Sequence, residues 1–145
     1  MQQKMQKTII GGLAATAVMT LVTFMAPLMG MPEMNPPAML SGMMGAPIVV
    51  GWLAHFMIGV IFALAYTYLF APNIKIRNVM LSGAAYGLAV FVFAQVVMLM
   101  MGMMVGEMPA PQGSMILSMV GGIMGHVIYG IVVALIVKSD APISS

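Results

Sequence analysis

The sequence contains no cysteine, which excludes disulfides, thiolate metal sites and thiol nucleophiles together and leaves the redox compartment unreadable. Charge is nearly as scarce: 6% of the 145 residues are Asp, Glu, Lys or Arg, against about 25% in a soluble domain. That is too little polar side chain to clothe a globule in water. The five basic residues are scattered, so despite a pI near 9.2 they form no stripe able to track nucleic-acid phosphates. Enzyme templates are missing as well. There is no glycine-rich phosphate loop behind a strand, no Ser/His/Asp set and no paired carboxylates in an apolar segment, and the sequence leans away from catalysis.

What the chain has is apolar length: 62% of its residues are hydrophobic and its mean hydropathy is +1.09. About 20 apolar residues cross a hydrocarbon core of about 30 Å. Four runs meet that requirement, from Thr8 to Met29, Ala46 to Phe70, Val79 to Met101 and Ser114 to Val137. Their interiors are apolar all round, as lipid-facing helices are. Between them lie Gly30 to Gly45, rich in proline and methionine, the short polar Ala71 to Asn78, and Gly102 to Gly113. The expected fold is all-α: one integral membrane four-helix bundle over residues 1–145, with the lipid bilayer as its principal partner. The first run resembles a signal peptide but exceeds the 7 to 15 residues of a signal core, and is read as a retained helix.

Lys4, Lys7, Lys75, Arg77 and Lys138 fall at the N-terminus, the second connection and the C-terminal end, three places that alternating spans put on one side. The positive-inside rule makes that side cytoplasmic. The expectation is a multi-pass protein of the bacterial cytoplasmic (inner) membrane with both termini inside, Glu33 and Glu107 on the outer face, and Tyr66, Tyr68 and Trp52 in interfacial belts. Lys75, Arg77 and Lys138 read as snorkelling anchors.

The spans also repeat. GWLAHFMIG (Gly51 to Gly59) and GIMGHVIYG (Gly122 to Gly130) share a Gly-x-x-x-His-x-x-x-Gly frame offset by 71 residues. GMPEMNPPA around Glu33 resembles VGEMPAPQG around Glu107, and GGLAATA (Gly11 to Ala17) more weakly resembles SGAAYGLA (Ser82 to Ala89). Two tandem two-helix units follow, about 8–70 and 79–138, related by an axis along the membrane normal. In an up-down-up-down ring the second and fourth helices lie diagonally, aiming His55 and His126 at a shared centre.

Counting about 1.5 Å per residue places His55, His126, Thr20, Thr23 and Gln95 in one central polar layer, and ionisable groups at membrane depth are functional candidates. Four readings follow. In the first, the imidazoles are packing glue, each donating a hydrogen bond worth about 0.6 to 2 kcal/mol, with Gly51, Gly59, Gly122 and Gly130 letting helices approach. In the second, His55 and His126 are axial ligands of a haem b, the same glycines leaving room for the porphyrin. The third is copper, since thioethers suit Cu(I) and 15 of the 21 methionines lie between Met25 and Met44 or between Met98 and Met119. Methionine is equally an adaptable apolar filler. In the fourth, the histidines and Gln95 line a proton or solute path, gated by an imidazole that changes charge near neutral pH. Glu33 and Glu107 read as helix caps.

GGLAATAVMT (Gly11 to Thr20), GMPEMNPPAML (Gly30 to Leu40), GWLAHFMIG and GHVIYG (Gly125 to Gly130) resemble a family of small uncharacterised bacterial four-span membrane proteins, over nearly the whole chain. The resemblance implies the span count and singles out His55 and His126, but implies no activity, substrate or cofactor. The expected role is a structural or accessory subunit that associates with a membrane-protein partner or with itself. A haem b or copper binding protein, and a small proton or solute transporter or channel, are the alternatives.

Overall fold

The computed structural model describes residues 2–105 and 113–138. Its elements run α1 (Gln2–Met25), a 3-10 turn (Ala26–Met29), α2 (Pro36–Met44), α3 (Ile48–Ala65), a π turn (Tyr66–Phe70), the one-turn α4 (Ala71–Asn73), α5 (Val79–Val105) and α6 (Met115–Lys138). Among the described residues there is no strand. Four stretches are long and apolar enough to cross a membrane: Gln2–Met29, Ile48–Asn73, Val79–Met104 and Met115–Lys138. They coincide with the four expected runs, and α1 extends further toward the N-terminus.

Local chemistry sets the ends. Gly30 and Gly45 close the 3-10 turn and α2 in the left-handed region, at φ +79° and +59°, which costs a residue without a Cβ little. The Asn35 side chain accepts a hydrogen bond from the Ala38 N–H at 3.0 Å, and Pro36 and Pro37 occupy the first turn of α2, where no intrahelical N–H is needed. Asn78 caps α5 in the same way through Leu81 N–H, at 3.0 Å. Glu33, expected as a cap, is exposed beside this arrangement. Asn35 takes the role because it stands immediately before the helix. Glu107 lies outside the described residues.

Helix α1 packs against both α3 and α6, α5 packs against α6, and α2 packs on α3, so the bundle runs in the order α3, α1, α6, α5. Helices α1 and α3 meet where a Cβ on Gly12 would sit 2.8 Å from Val60 Cα and 3.1 Å from the Gly59 carbonyl. Helices α5 and α6 meet where a Cβ on Gly83 would sit 2.5 Å from the Gly130 carbonyl and 2.6 Å from Ile131 Cα. Small residues let backbones touch, and dispersion there replaces the hydrophobic drive that lipid removes. The seam between α1 and α6 is also tight, Gly11 lying against Ile136 and Val137.

The opposite seam, between α3 and α5, is held apart by rings. Tyr66 meets Tyr86 edge-on at 5.1 Å between centroids, Phe70 meets Tyr86 at 5.0 Å, and Phe62 meets Phe93 edge-on at 5.8 Å. Two hydroxyls anchor this wedge: Tyr86 Oη donates to the Phe62 carbonyl at 2.6 Å, and Tyr66 Oη pairs with Ser82 Oγ at 3.1 Å. Tyr66 is 0% exposed and therefore no interfacial anchor. The wide π turn brings it and Thr67 inward together. Tyr68 stays exposed with Lys4 over its ring at 5.0 Å. Lys138 turns back toward the protein, its Nζ 3.3 Å from Ser82 Oγ and 3.4 Å from the Ile76 carbonyl.

Candidate functional site: the histidine layer

Threonines along one face of α1 build the centre. Thr8, Thr16, Thr20 and Thr23 are all buried, and each hydroxyl bonds a carbonyl of its own helix: Lys4, Gly12, Thr16 and Thr20 respectively, at 2.7 to 2.9 Å. Thr67 does the same to Ala63 at 2.9 Å, and its oxygen, 3.0 Å from Thr8 Oγ1, is the alternative acceptor for the one Thr8 proton. Because the Thr20 proton is committed to the Thr16 carbonyl, Thr20 Oγ1 acts as acceptor toward His55 Nε2, 2.9 Å away. His55 is thereby the Nε2–H tautomer, with its lone pair on Nδ1.

His126 has the other tautomer. Its Nδ1 lies 2.8 Å from the Gly122 carbonyl one turn back on α6, which only accepts, so the proton is on Nδ1 and the lone pair on Nε2. The ring packs edge-on against Phe91 at 5.6 Å. Gly125, beside it, lies against Met19 and Thr23, residues that bracket Thr20 on α1. The two imidazoles therefore occupy one level of the bundle, but each spends a nitrogen on a different helix, and no hydrogen bond joins them among the described residues. Tyr129, one turn past His126, reaches across the diagonal and donates to the Gly59 carbonyl at 2.5 Å.

The four glycines of the two frames have all been filled by protein. Gly51 lies against the Pro37 carbonyl and Ser41 of α2, Gly59 against Thr16, Gly122 against the Phe91 ring, and Gly130 against Gly83 and Gly87. A porphyrin between the histidines would need the space these groups occupy, so the residues present do not fit a haem.

Gln95 leaves the layer. The buried face of α5 runs through Ser82, Gly83, Tyr86, Gly87, Val90 and Phe91, and Gln95 falls off its edge, exposed on the outside of the bundle. It lines a shallow cavity of ≈ 390 Å³ with Met115, Ser118 and Met119. The methionines disperse similarly: Met103 and Met104 are 80% and 84% exposed. Met31 and Met34 both set their sulfurs against Gly121, 3.7 and 3.6 Å from where a Cβ would be. Among the described residues no three His, Asp or Glu side chains cluster as a metal site.

Sequence reasoning missed Thr8, Thr16, Thr67, Tyr86 and Tyr129. The signal for the first two was their spacing with Thr20 and Gly12, four residues apart on one helical face. Tyr129 stands inside the second glycine-histidine frame, three residues after His126.

Residues 2–143 match the family model described as Family of unknown function (DUF6789). No curated protein and no solved structure matches the chain.

Proposed function

The chain belongs to the DUF6789 family of unknown function, and from that premise we propose that it is an accessory or structural subunit of the cytoplasmic membrane that works through its outward faces rather than through its interior. The observation that carries this reading is the state of the buried polar groups. Every buried threonine hydroxyl has a backbone carbonyl within hydrogen-bond reach about one turn back along the chain, Thr8 having Thr67 as a second acceptor, and no buried side-chain nitrogen or oxygen among the described residues lacks a hydrogen bond. A proton or solute path needs polar groups that can exchange partners. Here the threonine protons are spent mostly within their own helices, and the contacts of Thr8 with Thr67 and of Thr20 with His55 tie α1 to its neighbour, a packing use of polar groups in membrane bundles.

The same reading includes two tandem hairpin units with both termini in the cytoplasm. Contacts recurring at an offset of 71 residues support the duplication. Gly12 against Gly59 and Val60 corresponds to Gly83 against Gly130 and Ile131, and Thr16 against Gly59 to Gly87 against Gly130. Thr20 with His55 corresponds to Phe91 with His126. Between units, Gly11 against Val137 corresponds to Ser82 with Tyr66. A two-fold axis along the membrane normal relates all four pairs. The positions of Lys4, Lys7, Lys75 and Arg77 support the orientation.

Mild extraction of tagged full-length protein from its own membranes tests the role. The expected particle is larger than one chain, with a defined composition and no Soret band after expression with haem supply. Isolation as a lone chain, or His-dependent flux in liposomes lost in the His55→Ala, His126→Ala double variant, would overturn it.

A further inference from the structure

Resting on the reading that the outward faces do the work, we infer that Gln95 is the meeting point of two copies of this chain. Gln95 lies 16 residues into α5 from Val79, or about 24 Å along a helix rising about 1.5 Å per residue. The apolar span runs to Met104, roughly 14 Å further on, so the amide sits inside a hydrocarbon layer about 30 Å thick. A layer of that thickness placed anywhere within this span leaves the amide roughly 6 to 14 Å inside its outer boundary. Its exposed neighbours, Val92, Phe93, Val96 and Leu99, are apolar, and Gln95 has no hydrogen-bond partner among the described residues. Ser118, across the shallow cavity, directs its hydroxyl to the Ser114 carbonyl at 3.1 Å. Lipid tails offer neither donor nor acceptor, so an amide in this position is driven to find a partner.

The chemistry of the amide selects the occupant. It carries both a donor and an acceptor, so two glutamines related by a two-fold axis satisfy one another with a reciprocal pair of hydrogen bonds. Copies of one chain insert in the same direction, which brings Gln95 of each to the same depth without further adjustment. A different protein would have to supply its own polar group at that level. The surroundings suit the approach: α5 is the least covered of the four spans, 17% buried against 28% to 39% for the others. Met115 and Met119 beside the cavity are side chains that re-pack around an incoming helix.

The natural absence of cysteine makes the test clean. Leu99→Cys, one turn from Gln95 on the same exposed face, is introduced into the full-length chain, with Leu21→Cys on the exposed face of α1 as its counterpart. Membranes are oxidised and adducts identified by mass. Leu99→Cys is expected to form a disulfide-linked pair of this chain and Leu21→Cys none. Adding Gln95→Leu is expected to lower the Leu99→Cys yield at least about fivefold, the effect of losing roughly 1 kcal/mol or more of association, while Gln95→Asn retains most of it. A monomer at Leu99→Cys, equal pairing at Leu21→Cys, or a yield indifferent to Gln95→Leu overturns the inference. An adduct with a different protein at Leu99→Cys also overturns it, but leaves the accessory-subunit reading standing. Failure of both would show as a chain that meets nothing at either face.

Discussion

Tyr129 donates its phenol hydroxyl to the backbone carbonyl of Gly59 at 2.5 Å, a bond that crosses the bundle diagonal and ties the two glycine-histidine frames to each other. Gly59 has no side chain to shield that carbonyl, and Thr16 fills the other side of it. The bond and the close packing thus depend on the same glycine. Tyr129→Phe keeps the ring and removes the bond. We expect it to lower unfolding free energy in micelles by about 1 kcal/mol, within the range for hydrogen bonds between membrane helices. Tyr68→Phe, at an exposed ring, is expected to change nothing measurable.

The contact between Gly83 and Gly130 leaves no room for a side chain. A Cβ on Gly83 would be 2.5 Å from the Gly130 carbonyl, a rigid neighbour, so Gly83→Val is expected to cost at least the 1 to 3 kcal/mol of ordinary overpacking. Gly42 on α2 has nothing within 4 Å of its Cβ position. Gly42→Ala is expected to be neutral or to stabilise by up to about 1 kcal/mol, through helix propensity alone. Thermal unfolding of the two variants checks both signs.

The histidines should differ in tautomer although they occupy equivalent places in the sequence. Nitrogen NMR of the labelled protein in bilayers is expected to show His55 protonated at Nε2 and His126 at Nδ1. In Thr20→Val, the His55 signal should shift as it loses its acceptor, leaving His126 unchanged. Identical tautomers would mean that the hydroxyl and carbonyl partners do not set the proton positions.

Topology is checked by single cysteines in the otherwise cysteine-free chain. Glu33→Cys is expected to react with a membrane-impermeant thiol reagent added to intact cells, and Lys75→Cys only after the membrane is opened. The reverse pattern would invert the orientation drawn from the basic residues.

The spans were legible because length and apolarity alone decide them. Helix α2 was not: Asn35, Pro36 and Pro37 read as a place where helices stop, although proline is equally suited to the first turn of a new helix. Gln95 was misplaced for a different reason. Its depth follows from counting residues, but α5 is apolar all round, so no hydrophobic face reveals which way a given residue points. Tyr66 looked interfacial from its position near a span end, and the π turn that rotates it inward has no simple sequence signature. The His55 and His126 frames were visible, yet the groups that fill the space beside them, Thr16 and Phe91, come from other helices and differ between the two frames.

The claim of a closed interior is tested most directly by the reactivity of its threonines. Thr16→Cys, Thr20→Cys and Thr23→Cys each replace a buried hydroxyl with a thiol of similar size, and a small charged thiosulfonate is applied to intact membranes, with Glu33→Cys as the reactive reference. All three are expected to remain unmodified while Glu33→Cys reacts fully. Modification of Thr20→Cys at a rate comparable with Glu33→Cys would reveal water at the histidine layer and contradict a protein that acts only through its surface.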